Sequence, residues 1–234
     1  MSFKQIVPNV YSISLTAVNA FLIDADDGLT LIDTGIPGSG DKILQAVREL
    51  GKQPADIKNI LVTHCHADHT GSLAMLKKET GAPATMHPLD AAMVRRGESM
   101  RPAKPPPSLI YQIIVPLLMR AQQDASLEPA EIEHEIEDGA ELDIAGGIKV
   151  VHVPGHCAGQ VVFLWPQHGG VLFAADVASN LLRLSWSIIY EDFEEGKRSL
   201  AKVANLDFDV ACFGHGNAIV GGAAEKFRQK WGTQ

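Results

Sequence analysis

Six consecutive residues carry most of the chemistry this sequence offers: His64-Cys65-His66-Ala67-Asp68-His69. Imidazoles packed this closely repel one another when protonated and compete for few hydrogen-bond donors when neutral. A divalent cation removes both problems, binding imidazole nitrogen at ~2.0 Å and carboxylate oxygen at a similar distance. Residues 64 and 66 point the same way from an extended backbone, while 68 and 69 fall on the following turn. That arrangement suits two neighbouring metals better than one. Three more candidates follow apolar runs and precede flexible backbone: His156 in Val153-Pro154-Gly155-His156, Asp176 in Phe173-Ala174-Ala175-Asp176, and His215 in Cys212-Phe213-Gly214-His215-Gly216. Strand ends of this kind are where α/β domains build sites. Taken singly, each is as readily structural; joined to the hexad they complete seven N/O ligands, enough for two metals.

The elements that must position these residues are legible in the apolar pattern. Residues 10–15 alternate, 18–23 are mostly apolar, Asp26-Asp27-Gly28 offers turn chemistry, and 29–32 read as a buried strand. Asp33-Thr34-Gly35 breaks that run. Ile43, Leu44, Val47 and Leu50 have helical spacing, with Gly51 as a C-cap. Residues 60–62, rich in β-branched side chains, predict a strand leading straight into the hexad. A helix through Leu73, Met75 and Leu76 should end at Gly81, with a strand over 82–86. Further strands are expected over 148–153, 161–165, 171–174 and 210–213, and helices over 193–206 and 223–231. Alternating strands and helices argue a layered α/β domain spanning 1–234. One segment stands apart: over 95–128, a charged Pro-rich stretch precedes the apolar residues 109–119. It reads as an inserted helical cap, a contact in a homodimer, or one more core helix. With Trp186, residues 109–119 could wall an acyl pocket.

The 234-residue chain has a formal net charge of -8 and no basic cluster larger than a pair. It is therefore ill-suited to nucleic acid or an anionic membrane. Three cysteines without paired spacing make no disulfide framework. The first residues lack the pattern of a signal peptide, and no apolar run reaches ~18 residues. The cytoplasm is the expected location and a small molecule the expected substrate. Cys65 and Cys157 should be small buried side chains pointing away from the ligands beside them. His87, His134 and His168 should face solvent or be satisfied locally, and His152 should pack or support the site.

The pattern His-x-His-x-Asp-His followed by separate His, Asp and His resembles the metallo-β-lactamase superfamily over nearly the whole chain. The resemblance implies an αββα sandwich with the site at one edge of two packed sheets. It assigns His64, His66 and His156 to a first metal, and Asp68, His69 and His215 to a second, with Asp176 bridging. Asp33 matches a family position one step removed from the metals; on the residues alone it is a turn former. Two divalent ions are implied, zinc foremost, with manganese or iron as alternatives. Metals flanking a water lower its pKa from 15.7 to roughly 7, so that a metal-bridging hydroxide can attack a carbonyl or phosphorus centre. Asp68 would orient that hydroxide as well as ligate.

Departures from the family's branches narrow the expectation. True β-lactamases lack the Asp bridge and carry export signals. Flavodiiron proteins place a carboxylate where His66 stands and add a flavodoxin domain. Glyoxalase II enzymes extend well past the last histidine, and the RNA-processing branch wants basic surface. Homoserine lactonases usually carry a tyrosine soon after the bridging Asp, where this chain reads Val177-Ala178-Ser179-Asn180; Tyr111 or Tyr190 would have to substitute. What remains is hydrolysis of a small lactone, ester or thioester. The alternatives are a mononuclear iron dioxygenase acting on a persulfide, which keeps most of the same ligands, and a metal-binding protein without catalysis.

Overall fold

A computed structural model of the chain describes residues 3–107, 112 and 127–232. Two sheets face each other. The first has seven strands in chain order: β1 (Lys4–Val7), β2 (Val10–Leu15), β3 (Val18–Ala25), β4 (Gly28–Ile32), β5 (Ile57–Leu61), β6 (Ala84–Met86) and β7 (His134–Glu135). Strands β1 to β4 form an antiparallel meander, and β4 to β7 run parallel. The second sheet has six: β8 (Glu141–Leu142), β9 (Ile148–His152), β10 (Val161–Trp165), β11 (Val171–Phe173), β12 (Val210–Cys212) and β13 (Ile219–Val220). Only β11 and β12 pair in parallel there. Among the described residues the helices are α1 (Gly40–Glu49), α2 (Ala67–Thr70), α3 (Leu73–Thr80), α4 (Pro88–Val94), α5 (Phe193–Ala204) and α6 (Ala223–Trp231).

Period-two alternation within the strands sorts apolar side chains into layers. Leu22, Leu31 and Ile60 point outward from the first sheet onto Ile43 and Val47 of α1 and Leu73 and Leu76 of α3. Their neighbours Phe21, Ile32 and Leu61 point inward, meeting Val150, Phe163 and Phe173 of the second sheet. The opposite faces of those strands send Val151, Val162 and Leu172 onto Leu200 and Val203 of α5 and Phe227 of α6. Strands covered on both faces need nearly continuous apolar runs, which is why the strand segments read so clearly. Each such side chain taken out of water contributes about 1.5–3 kcal/mol before the entropy of ordering it is counted.

The predicted elements are present, with shifted ends. Strand β5 begins at Ile57 because Ile57 already pairs with Leu29 of β4. The hairpin between β3 and β4 turns on Asp26-Asp27, with Ala25 opposite Gly28. Strands β1, β7, β8 and β13 and helix α4 are additions, each too short to leave a periodic trace. Most of the cap or dimer contact expected over 95–128 falls on 108–111 and 113–126, outside the described residues. The described flank 98–107 contains no helix; Lys104 pairs with Tyr190 as an antiparallel bridge. Among the described residues, no helix is long and apolar enough to cross a membrane.

Candidate metal centre

All seven candidate ligands follow the C-terminal ends of strands, along one edge of the sandwich. The hexad comes after β5, with His66 as the N-cap of the short helix α2. His156 follows β9, Asp176 follows β11 and His215 follows β12. Asp33 comes directly after β4. It has φ 60, and Ala175, just before Asp176, has φ 46. Non-glycine residues in the left-handed region cost free energy and persist where the surroundings over-determine them.

The side chains converge on two adjacent points. His66 Nδ1 lies 3.2 Å from His64 Nε2 and 2.9 Å from His156 Nε2. Two nitrogens on one tetrahedral ion at ~2.0–2.1 Å stand about 3.3 Å apart, close to this spacing. Beside that triad, His215 Nε2 lies 3.3 Å from Asp68 Oδ2, and His69 Nε2 lies 3.9 Å from the same oxygen. Asp176 reaches both sets: Oδ2 is 3.6 Å from His156 Nε2 and 3.2 Å from His215 Nε2, and Oδ1 is 3.6 Å from His69 Nε2.

Every ring directs its other nitrogen to a fixed partner. His69 Nδ1–H donates to Asp33 Oδ2 at 2.8 Å. His64 Nδ1–H donates to the Thr63 hydroxyl at 3.0 Å, which itself donates to Asp33. His156 Nδ1–H reaches the Ile189 carbonyl at 2.9 Å and Ser187 Oγ at 3.0 Å. His215 Nδ1–H reaches the Ala17 carbonyl at 2.7 Å, and His66 Nε2 lies 3.2 Å from Cys157 Sγ. With the proton on the partnered nitrogen alone, a ring turns a lone pair to the centre, the pattern that orients metal-binding histidines; His69 and His215 reach it once the inward-facing nitrogen gives up its proton.

Charge divides the two triads. Burial pushes the pKa of His66 down to about 3 and lowers those of His64 and His156, so these rings are neutral donors. The second triad is zwitterionic. Asp176 above all, then Asp68, raises His215 to about 12. Burial opposes protonation of His69, but Asp33, Asp68 and Asp176 outweigh it and bring the ring to about 9. In return the two imidazolium rings hold Asp68 and Asp176 below the usual carboxylate range against the cost of burial. Two buried atoms here, His69 Nε2 and Asp176 Oδ1, have no hydrogen-bond partner among the described residues. A divalent cation fits that gap. A Cβ at Gly214 would stand 2.3 Å from Asp176 Oδ1 and 2.8 Å from His69 Cε1, so only glycine leaves the space open.

The family model of the metallo-beta-lactamase superfamily matches residues 13–215. The chain belongs to the metallo-beta-lactamase superfamily. Its two mixed sheets with flanking helices are the fold of that superfamily, and membership makes it a metallo-hydrolase. An uncharacterized protein of Bacillus subtilis, YobT, is 28% identical over 230 residues, covering 92% of this chain and 90% of its own length. The probable metallo-hydrolase YflN of the same organism is 25% identical, covering 91% of this chain and 85% of YflN. Thioesterase pkgB of Emericella nidulans is 26% identical over 91% of this chain, which spans about half (49%) of that protein. Among solved structures, a B3 metallo-beta-lactamase with an active-site glutamic acid superposes with a TM-score of 0.75 at 24% identity, covering 98% of this chain and 86% of that one. At that identity the likeness carries the fold alone.

The superfamily signature thus brings all seven candidates, with Asp33, to one place. Other expectations need correction. Cys65 is buried against Met93, but Cys157 does not point away: its sulfur meets the His66 ring. His87 takes the locally satisfied form of its expectation: it is buried, stacked on His152 at 4.2 Å and 11°, and accepts the Leu89 N–H as a helix cap. Trp186 is engaged in packing against Phe193 and Trp231. Tyr190 is buried beside His156, and its hydroxyl accepts the Ser187 N–H. Sequence reasoning passed over Thr63, Ser187 and Asp90. Thr63 alone left a signal, as the last residue before His64.

Proposed function

We propose that the protein is a dinuclear metal-dependent hydrolase, with zinc in both positions, cleaving a small acyl substrate such as a lactone, ester or thioester. The observation that carries this reading is Asp176, which reaches both an all-imidazole triad and a mixed carboxylate–imidazole triad. His64, His66 and His156 would hold one ion, Asp68, His69 and His215 the other, and Asp176 both. Bound there, divalent cations acidify a shared water to a pKa near 7 and polarise the oxygen of the scissile group. The chain does the rest. Asp33 and Thr63 keep His64 and His69 turned inward, and the carbonyls of Ile189 and Ala17 do the same for His156 and His215. The Asp68 side chain keeps 24% exposure, so it can accept a proton from the nucleophilic water and return it to solvent or the leaving group.

Two features support an acyl substrate. One relative is named a thioesterase. The other is apolar surface beside the centre: Asn180 N–H donates to the His215 carbonyl at 3.0 Å, and the next two residues, Leu181 and Leu182, are 60% and 101% exposed. Metal analysis beside a panel of lactones, thioesters and phosphodiesters tests the proposal. Two zinc ions per chain and acyl hydrolysis are expected; one iron with oxygen uptake on a persulfide would overturn it. Asp68→Ala should cut kcat by ~10²–10⁴ and leave the protein folded. Unchanged turnover in that variant would deny Asp68 both the ligand role and the proton-transfer role.

A further inference from the structure

We infer that Asp90, which belongs to neither triad, is a positioning residue that clamps the loop carrying His64 and His66 to the turn carrying His156, and so sets the affinity of the all-imidazole position. The inference rests on the metal centre proposed above and is independent of the bond cleaved. Asp90 lies in α4 and is fully buried, at 0% exposure. Its Oδ2 accepts the N–H of Cys65 at 3.1 Å, between His64 and His66 in the hexad. Its Oδ1 accepts the N–H of Gly159 at 3.1 Å, in the turn that begins at His156. One carboxylate therefore ties together the two segments whose histidines face each other at 2.9 Å, His66 and His156.

Arg101 completes the clamp. Its Nη1 lies 2.7 Å from Asp90 Oδ1 and 3.2 Å from Glu191 Oε1, and Glu191 Oε2 accepts the N–H of Ala158 at 2.9 Å. Two consecutive amides of the His156 turn are thus held by two carboxylates with a guanidinium between them. Burying a carboxylate is costly unless it is paired and fully hydrogen-bonded, and Asp90 is both. Cys65, Asp90 and Cys157 have donor atoms within 4.8 Å of one another, but a cation there would compete with these bonds for the Asp90 carboxylate. Asp90 has both its oxygens committed to amides and to Arg101.

Gly159 supplies an independent sign of the same contact. A Cβ there would stand 2.6 Å from Asp90 Cγ and 2.8 Å from Asp90 N, so the turn approaches the carboxylate only because residue 159 has no side chain. The mixed triad is held by other groups. His69 is fixed by Asp33 and His215 by the Ala17 carbonyl. Loss of the clamp should therefore weaken one position and spare its neighbour.

The test challenges zinc-loaded protein with chelators of graded affinity and counts the zinc retained. Parallel cobalt(II) substitution reports each position by its absorption spectrum. Asp90→Asn keeps the shape but turns an amide NH₂ toward a backbone donor. It should hold one ion as the unsubstituted protein does and the other ~10–100-fold more weakly, with the cobalt spectrum altered at the all-imidazole position. Gly159→Ala should reproduce this selective loss. If Asp90→Asn does not fold, Arg101→Met, which leaves the carboxylate in place, should give a smaller loss at the same position. Equal loss at both positions, or undiminished binding in the variants that fold, would overturn the clamp. Two bound ions without hydrolysis in the unsubstituted protein would sink the proposed function and leave the clamp standing.

Discussion

Asp33 serves two histidines at once, taking the His69 N–H directly and the His64 N–H through the Thr63 hydroxyl. Asn tolerates the φ of 60 at this position but brings no charge and replaces one accepting oxygen with an NH₂ donor. Asp33→Asn should therefore weaken metal binding by ~10–100-fold, measured by chelator competition, with little change in the far-UV spectrum. Protonation gives a second handle at this scale. His69 at about 9 and His215 at about 12 both carry protons at pH 7 that an arriving metal must displace, whereas His66 at about 3 carries none. Affinity of the mixed triad should fall as pH drops from 9 to 6, by up to tenfold per unit for each proton displaced. Affinity of the all-imidazole triad should vary far less across that window. Calorimetry in buffers of differing protonation enthalpy counts the protons released, and a count of zero would contradict this picture. The ligand types were legible in the sequence because their residues cluster or end apolar runs. Asp90 and Cys157 were not, because their importance lies in which way a buried side chain points.

At the scale of elements, the site depends on strand ends held in register by helices on the far faces. Phe227 of α6 is fully buried, stacked parallel to Phe213 at 6.1 Å and edge-on to Phe208 at 5.4 Å. It touches no candidate ligand, but Phe213 lies two residues before His215. Phe227→Ala should cost about 3–5 kcal/mol of stability, seen as a lower denaturant midpoint, while the folded fraction binds metal normally. Elements of this kind were readable where an apolar run was long enough. Helix α6 matches its expected span, and the Asp26-Asp27 turn fixed the β3–β4 hairpin. Edge strands of two residues, such as β7, β8 and β13, carry no period to read. Helix α4 opens on Pro88 behind the His87 cap and spans seven residues, too few for a period to be read. The parallel pairing of β4, β5 and β6 joins segments far apart in sequence, and no local pattern carries it.

At the scale of the whole molecule, the apolar core is extensive enough that folding is expected without bound metal. Three apolar clusters fill the two helix–sheet layers and the space between the sheets. Chelation should therefore leave a folded protein with a lower melting temperature, unlike a zinc finger. The loss follows mass action, about 2.7 kcal/mol for an ion present at 100 times its Kd. Calorimetric melts with and without chelator measure it, and outright unfolding on chelation would contradict a core of this extent. The central claim is that one edge of this sandwich holds a pair of ions sharing Asp176. Anomalous diffraction across the zinc absorption edge tests it most directly. Two peaks are expected, ~3.5–4 Å apart, one ringed by His64, His66 and His156 and the other by Asp68, His69 and His215. A single peak, or a pair placed away from Asp176, would contradict the account.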